Sequence, residues 1–475
     1  MRRKRDGRLS SGLVVLLIAA VLLGLIALGL SLFLFTGCAA PAPKEAPAHV
    51  FVFLGDGMGI NQVAATRYYQ KERDDLGGNG IFGVSFDSFE QIGLMSTHSR
   101  SAVTDSAAAI TALLGGYKAE NGTINFDVSS QSGSRPFAAL AREAGYAVGV
   151  VTAASVDHAT PAGVYASADN RYDYDAIAPQ GLAPAYLSFL GGGGFRAGDP
   201  DGLIALARLN GFEVAQGAEE VRGIEAGEAP LLALAPGPVG AADMMYEIDR
   251  LRAAQYGGED LSFREMVQAA VLRLEGQEKF FLFCEAARID FACASQDALT
   301  AMYEVQALDD GVAVALEYYR AHPDDTLIVV LSDHETGGLR IKTGADFSAF
   351  QGQIASYERF YSIMRPLYKE QTPFAQALEQ AEHYFGVTVS RLEQEEKKEM
   401  EEAYLESLAL PEGEDPFTQM LLARQAERTR VSFETTSHTA APVAVYATGV
   451  KAETFSGLYD NTDIYAKLRE IMGVR

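Results

Sequence analysis

Carboxylates, imidazoles and one hydroxyl recur in this chain where an apolar run ends or a helical pattern begins. The pieces are G-D-G-M-G (Gly55–Gly59), V-T-D-S-A-A-A (Val103–Ala109), H-A-T-P (His158–Pro161), E-x-x-x-x-D (Glu285 to Asp290) and S-D-H-E-T-G-G (Ser332–Gly338). S-H-T (Ser437–Thr439) adds one more imidazole. A serine hydroxyl is weakly nucleophilic unless a base or a metal lowers its pKa. A hydroxyl surrounded by that many anionic and imidazole groups is what metal-assisted phosphoryl transfer requires.

Each piece also has a plainer reading. Ser106 opens the helical pattern S-A-A-A-I-T-A-L-L, which stops at Gly115-Gly116, and a lone serine there is a helix cap. The same position sets backbone N–H groups and the positive end of a helix dipole beside the hydroxyl, which suits a phosphate. Gly55-Asp56-Gly57 could be a simple turn, yet its glycines let an ion approach the carboxylate. Adjacent Asp333 and His334 after the run L-I-V-V-L offer mixed oxygen and nitrogen ligation to one divalent ion.

The elements that must position these groups read as short apolar runs bounded by turn residues: 49–54, 146–152, 279–284, 326–331 and 442–448. Such runs suit strands buried on both faces of a mostly parallel sheet. Helical patterns lie between them at 106–114, 136–143, 263–274 and 298–319, so the alternation predicts an α/β fold, helices on both faces of a central sheet. Ligands of such sheets sit at the carboxyl ends of strands, where Asp56, Glu285 and Asp333 all fall. Two stretches break the alternation. Residues 179–259, rich in Gly and Ala, read as an insertion with some helix. Residues 344–432 read as a polar helical insertion whose most charged part, Glu393–Glu402, is a solvated face.

The first residues look like a targeting segment. Met1–Arg8 carries five Lys or Arg and one Asp, and Leu13–Phe35 is 23 residues without a charge, enough to cross a hydrocarbon core. The positive flank predicts a cytoplasmic start and an extracytoplasmic remainder. Cys38, after Phe35-Thr36-Gly37, resembles a bacterial lipoprotein cleavage site, so residues 1–38 are expected to act as a retained anchor or a lipoprotein signal. Residues 39–48 follow as a Pro/Ala spacer, and 49–475 as the catalytic domain.

The whole chain has 39 Lys+Arg against 63 Asp+Glu, net −24; without residues 1–38 the counts are 34 and 62, net −28. So acidic a surface excludes general nucleic-acid binding, and an anionic substrate needs local positive charge from metal ions and an arginine. Cysteine is scarce: apart from Cys38 there are Cys284 and Cys293, and a bridge between them is not the expected state.

On these motifs the chain resembles the alkaline phosphatase family across residues 49–472. V-T-D-S-A matches the family's nucleophile motif and S-D-H-E-T-G-G its zinc motif. G-D-G-M-G, H-A-T-P, N-R-Y, E-x-x-x-x-D and S-H-T keep the family's order. The resemblance implies a three-layer α/β sandwich, and a phosphomonoesterase working through a phosphoserine at Ser106 with two zinc ions and one magnesium ion. It makes Arg171 of N-R-Y the phosphate-gripping arginine. It makes Asp56, Thr160 and Glu285 the magnesium ligands, with His158 acting there through water. Asp56 is shared with a second zinc, completed by Asp333 and His334, and Asp290 and His438 match the first zinc. Small phosphate monoesters are the implied substrates, and a homodimer is an assembly the resemblance allows.

One position departs from the family. A histidine is expected four residues after Asp290, and Ala294 stands there, with Cys293 one position early. That departure motivates two alternatives: a related phosphodiesterase of the same superfamily, or a weakly active surface protein that binds metal or phosphate. The absence of C-x-P-x-R disfavours a sulfatase.

Overall fold

The apolar runs form the middle of a single ten-stranded sheet. In chain order its strands are β1 (His49–Gly55), β2 (Gln91–Ser96), β3 (Ala147–Thr152), β4 (Phe189–Gly192) and β5 (Glu213–Gln216). They continue with β6 (Leu231–Leu234), β7 (Phe280–Ala286), β8 (Thr326–Leu331), β9 (Val443–Gly449) and β10 (Gly457–Asp460). Across the sheet the order is β10-β2-β9-β8-β1-β7-β3-β4-β6-β5. β9 pairs antiparallel with β8 and β2, and the other ladders are parallel.

This computed structural model describes residues 12, 16, 19–23, 46–75, 83–184, 186–237, 242–411 and 413–474. Met1–Lys44 is a unit distinct from Glu45–Arg475. Most of the apolar run Leu13–Phe35, and Cys38, lie outside the described residues. Among the described residues no helix is long and apolar enough to cross a membrane.

Every residue of β1, β3, β7 and β8 is buried, as expected for strands covered on both faces. The period of two is visible in β1. Phe51 and Phe53 point into one core with Val63, Met266 and Leu299 of the helices Ile60–Asp75, Phe263–Leu274 and Ala298–Ala321. Val50, Val52 and Leu54 point into the other, with Ile110, Ala138, Ala162 and Leu468 of the helices Ser106–Gly115, Phe137–Glu143, Ala159–Tyr165 and Thr462–Met472. Each fully buried Val, Leu or Phe contributes about 1.5–3 kcal/mol, so the two cores fix the sheet between its helical layers.

The stretch 179–259 is more than a helical insertion: it supplies β4, β6 and β5, the whole far edge of the sheet. Gly191 and Gly192 are packed strand residues. A Cβ on Gly192 would come within 2.7 Å of Thr152 Cγ2, so this edge reads as a loop by composition while it closes tightly on β3. Within 344–432 the helices Tyr357–Lys369, Phe374–Phe385, Gln394–Ala409 and Pro416–Thr429 share a separate core built on Phe360, Phe385, Tyr404 and Phe417.

Candidate active site

Strand register makes the site. β1 pairs with β8 and β7 so that Leu54 lies opposite both Leu331 and Glu285, and Glu285 lies opposite Thr152 of β3. Four neighbouring strands therefore end level. Asp56 follows β1 by one residue, Asp333 follows β8 by two, and Glu285 is next to last in β7. All three carboxylates are 0% exposed. Gly57, at φ +72°, turns the chain sharply after Asp56, and its Cβ would come within 2.8 Å of Thr336 Oγ1 and 3.0 Å of Asp290 Oδ1. No other residue type fits that turn without strain.

The imidazoles join this cluster through β pairing and stacking. His334 Nε2 lies 3.3 Å from Asp56 Oδ1, 3.2 Å from Asp333 Oδ2 and 3.3 Å from Ser106 Oγ. A two-residue ladder pairs Thr336 with His438 and brings the His438 ring onto His334, centroids 3.6 Å apart. His438 Nδ1 lies 2.9 Å from the Thr104 carbonyl. A carbonyl only accepts, so Nδ1 carries the proton and Nε2 is left facing Asp290 Oδ1 at 3.5 Å. Two donor groups result, each with ligand atoms within 4.8 Å of one another: Asp56, Asp333 and His334, and Asp290, His334 and His438.

The electrostatics of the cluster call for cations. Burial keeps His334 neutral, its pKa pushed down to about 3, so it cannot offset the carboxylates. Burial lifts Asp333 to about 6 and Glu285 to about 8, and burial together with neighbouring carboxylates raises Asp56 well above the usual range. Both oxygens of Asp56, Glu285 Oε1, Asp333 Oδ2, Thr160 Oγ1 and His158 Nδ1 are buried without a hydrogen-bond partner. Orphaned buried carboxylate oxygens are costly unless ionic partners reach them. Oxygen donors from Asp56, Thr160 and Glu285 suit magnesium, and the mixed oxygen and imidazole groups suit zinc. The donor set fits both ions.

Ser106 is the first residue of the Ser106–Gly115 helix, 3% exposed, and Asp105 caps that helix by accepting from Ala108 N at 2.9 Å. The other Asp105 oxygen accepts from Gly122 N at 2.9 Å and from Arg171 at 3.0 Å. One carboxylate thus fixes both the helix that Ser106 opens and Arg171. Arg171 also reaches His158 Nε2 at 3.4 Å. His158 sits at the start of the Ala159–Tyr165 helix, and burial and the charges of Arg171 and Arg196 hold its pKa well below 6.5.

The motif residues thus converge, with exceptions. Ala294 ends the Arg288–Ala294 helix, four residues after Asp290 and so on the same face. Cys293 belongs to neither donor group. Its thiol lies 3.9 Å from Gln62 Nε2 and is pushed well above its usual pKa by burial, so it is no ready thiolate. Cys284 and Cys293 are both free. Glu335, beside His334, turns away and accepts from Gln62, Gly338 N and Thr439.

Sequence reasoning gave no role to Asp105 or Thr336. Thr336 Oγ1 bonds Asp290 Oδ1 and lies 3.3 Å from His334 Nδ1, linking the two donor groups. Asp105 had a readable signal, an aspartate just before a helix start. Thr336 had none, because its contact with Asp290 depends on the tertiary fold.

A family model described as "Alkaline phosphatase" matches residues 48–185 and 228–474. The unmatched residues between them carry β4 and β5. Alkaline phosphatase 4 of Bacillus subtilis (strain 168) is 28% identical over 442 residues, 89% of this chain and 89% of that protein. Alkaline phosphatase 3 of the same organism is 26% identical over 427 residues, 88% of this chain and 87% of that protein. Among solved structures, Thermus thermophilus alkaline phosphatase superposes with a TM-score of 0.77 at 29% identity, covering 92% of this chain and 93% of that one. The cold-active enzyme of a psychrophilic Shewanella gives 0.75 at 27% identity, covering 89% and 99%.

The double duty of Asp105 yields a prediction. Asp105→Ala removes the helix cap, worth about 0.5–2 kcal/mol, and releases Arg171. Affinity for inorganic phosphate should fall about tenfold, the equivalent of about 1.4 kcal/mol. Asp105→Asn keeps the cap acceptor but sets an amide N–H against Gly122 N–H and Arg171, so it should lose phosphate affinity while lowering the melting temperature no more than Asp105→Ala does. Unchanged phosphate affinity in both variants would show that the ion pair does not orient Arg171.

Proposed function

The chain belongs to the alkaline phosphatase family, whose members are phosphoric monoester hydrolases, and from that premise we propose that it hydrolyses phosphate monoesters through a phosphoserine at Ser106, as an exported, metal-dependent enzyme. One observation carries the reading: the Ser106 hydroxyl stands at a helix start, 3.3 Å from His334 Nε2, beside three buried carboxylates that have oxygens without partners. A protein that only bound metal or phosphate would need no hydroxyl in that place.

In this reading Asp56, Thr160 and Glu285 hold magnesium, with His158 acting through water. Asp56, Asp333 and His334 hold one zinc ion, and Asp290 and His438 the other. Bound in those positions, the ions supply positive charge that favours an ionised hydroxyl and stabilises a departing oxygen. Ser106 Oγ attacks phosphorus in line with the ester bond. That P–O bond breaks, and the alcohol departs with the electron pair and takes up a proton. Arg171, a planar fork oriented by Asp105, grips two non-bridging oxygens, and the backbone N–H groups of the helix's first turn face the same charge. Water then attacks the phosphoserine, inorganic phosphate leaves, and the proton returns to Ser106 Oγ. The basic flank and the apolar run Leu13–Phe35 support tethering outside the cytoplasm, either by that run as a retained anchor or by a lipid on Cys38.

With Ala294 where an imidazole is expected, Asp290 and His438 give the first zinc two dedicated protein ligands where three or four are usual. Hydrolysis of the phosphoserine should therefore limit turnover more than its formation does.

Two predictions test these points. Ser106→Ala should abolish labelling by phosphate at acid pH and most turnover, with melting unchanged, because alanine is a good helix former. Label recovered from any other residue of the wild type would refute the assignment. Ala294→His should raise zinc retention after dialysis and increase turnover. If wild-type protein keeps two zinc ions through dialysis and the variant changes neither quantity, another residue completes the site.

A further inference from the structure

A cleft of about 1260 Å³ opens between the sheet's helical layer and the 344–432 subdomain, larger than the usual 300–1,000 Å³ of a small-molecule site. Arg171 and His158 stand outside its lining, but neighbouring side chains connect them to it. Tyr174, three residues after Arg171, lines it and feels the charges of both Arg171 and Arg196. Arg196, also on the lining, acts on His158, which reaches Arg171 at 3.4 Å. On another wall Arg288 lies 5.7 Å from the Phe291 ring, which packs on His158 with centroids 5.8 Å apart.

The lining is basic in an acidic protein. Five arginines, 196, 252, 288, 359 and 365, face it, against the three carboxyl groups of Asp243, Asp249 and Glu358. The chain as a whole carries a net −24. Two of the arginines are held by these same carboxylates: Arg196 pairs with Asp243 at 2.8 Å, and Arg288 with Glu358 at 2.8 Å. Both oxygens of the Asp249 carboxyl accept from Ser356, its backbone N–H at 2.9 Å and its hydroxyl at 2.5 Å. Arg252 bonds the Gln255 amide at 2.7 Å and lies 4.8 Å over the Tyr256 ring. Among the described residues neither Arg252 nor Arg359 is paired with a carboxylate. A concave surface lined by one sign of charge concentrates the opposite sign.

We propose that this cleft receives the leaving group of the substrate, and that the preferred leaving group is itself phosphorylated. The proposal rests on the phosphatase reading above and names its substrate class: phosphomonoesters that carry a second phosphate. Ser106 takes one phosphate, while Arg252 and Arg359 attract the other across the cleft. The chemistry at Ser106 is unaltered: the P–O bond to the leaving group breaks, and the freed oxygen takes up a proton.

The test compares fructose 1,6-bisphosphate with fructose 6-phosphate, in the wild type and in Arg252→Ala/Arg359→Ala. The wild type should favour the bisphosphate by about tenfold in kcat/KM. The preference should shrink as salt shortens the screening length toward about 8–10 Å. In the double variant the ratio should fall to near one. A wild-type ratio near one, or a ratio that the double variant leaves unchanged, would overturn the proposal. Calorimetry of fructose 1,6-bisphosphate on Ser106→Ala protein, with and without the two arginine changes, reads the cleft without turnover. If the wild type hydrolyses no phosphomonoester, the phosphatase reading fails. The cleft is then decided by whether the arginine changes weaken that binding several-fold or leave it unaltered.

Discussion

Three carboxylates at 0% exposure, each with an oxygen that accepts no hydrogen bond, set the terms for the rest of this molecule. A buried anion without a partner is costly, and the one imidazole packed among them is kept neutral by the same burial. Cations resolve that imbalance, and the surrounding fold serves to hold the ligands where cations can reach them. Level strand ends bring Asp56, Glu285 and Asp333 together, because the register of β1 with β7 and β8 leaves them no other place.

Ser106, the proposed nucleophile, is tied to that cluster from several directions. Asp105 joins the start of the Ser106–Gly115 helix to Arg171, and the carbonyl before it fixes the tautomer of His438. Thr336 links Asp290 to His334. These contacts share residues rather than running in parallel. On the Arg288–Ala294 helix a methyl group stands four residues beyond Asp290, where the family resemblance leads one to expect an imidazole.

Much of this was legible in the sequence. The run 49–54 reads as a strand and forms His49–Gly55, and the pattern 263–274 reads as a helix and forms Phe263–Leu274. Long apolar runs buried on both faces carry a strong signal, and they are the elements that bear the ligands. The edges were not legible. Phe189–Gly192 and Leu231–Leu234 are four residues each, too short for a periodic pattern to stand out. The glycines of the first are needed by close packing yet look like a loop. β2 and β10 are partly or largely exposed, so their composition resembles that of turns. At the site, the motif residues Asp56, Asp290, Asp333, His334 and His438 could be singled out from the sequence, and the fold brings them together. Thr336 and the arginine-lined cleft could not, since both arise from residues that only the tertiary fold brings together.

The central claim is that metal ions complete the buried carboxylate cluster. The most direct measurement is the melting temperature of the purified Glu45–Arg475 unit, paired with elemental analysis, before and after exhaustive chelation. The account predicts bound zinc and magnesium, a melting temperature several degrees lower once they are removed, and recovery when both ions are restored, because a ligand that binds only the native state stabilises it. An unchanged melting temperature, with full phosphatase activity in metal-free protein, would contradict it.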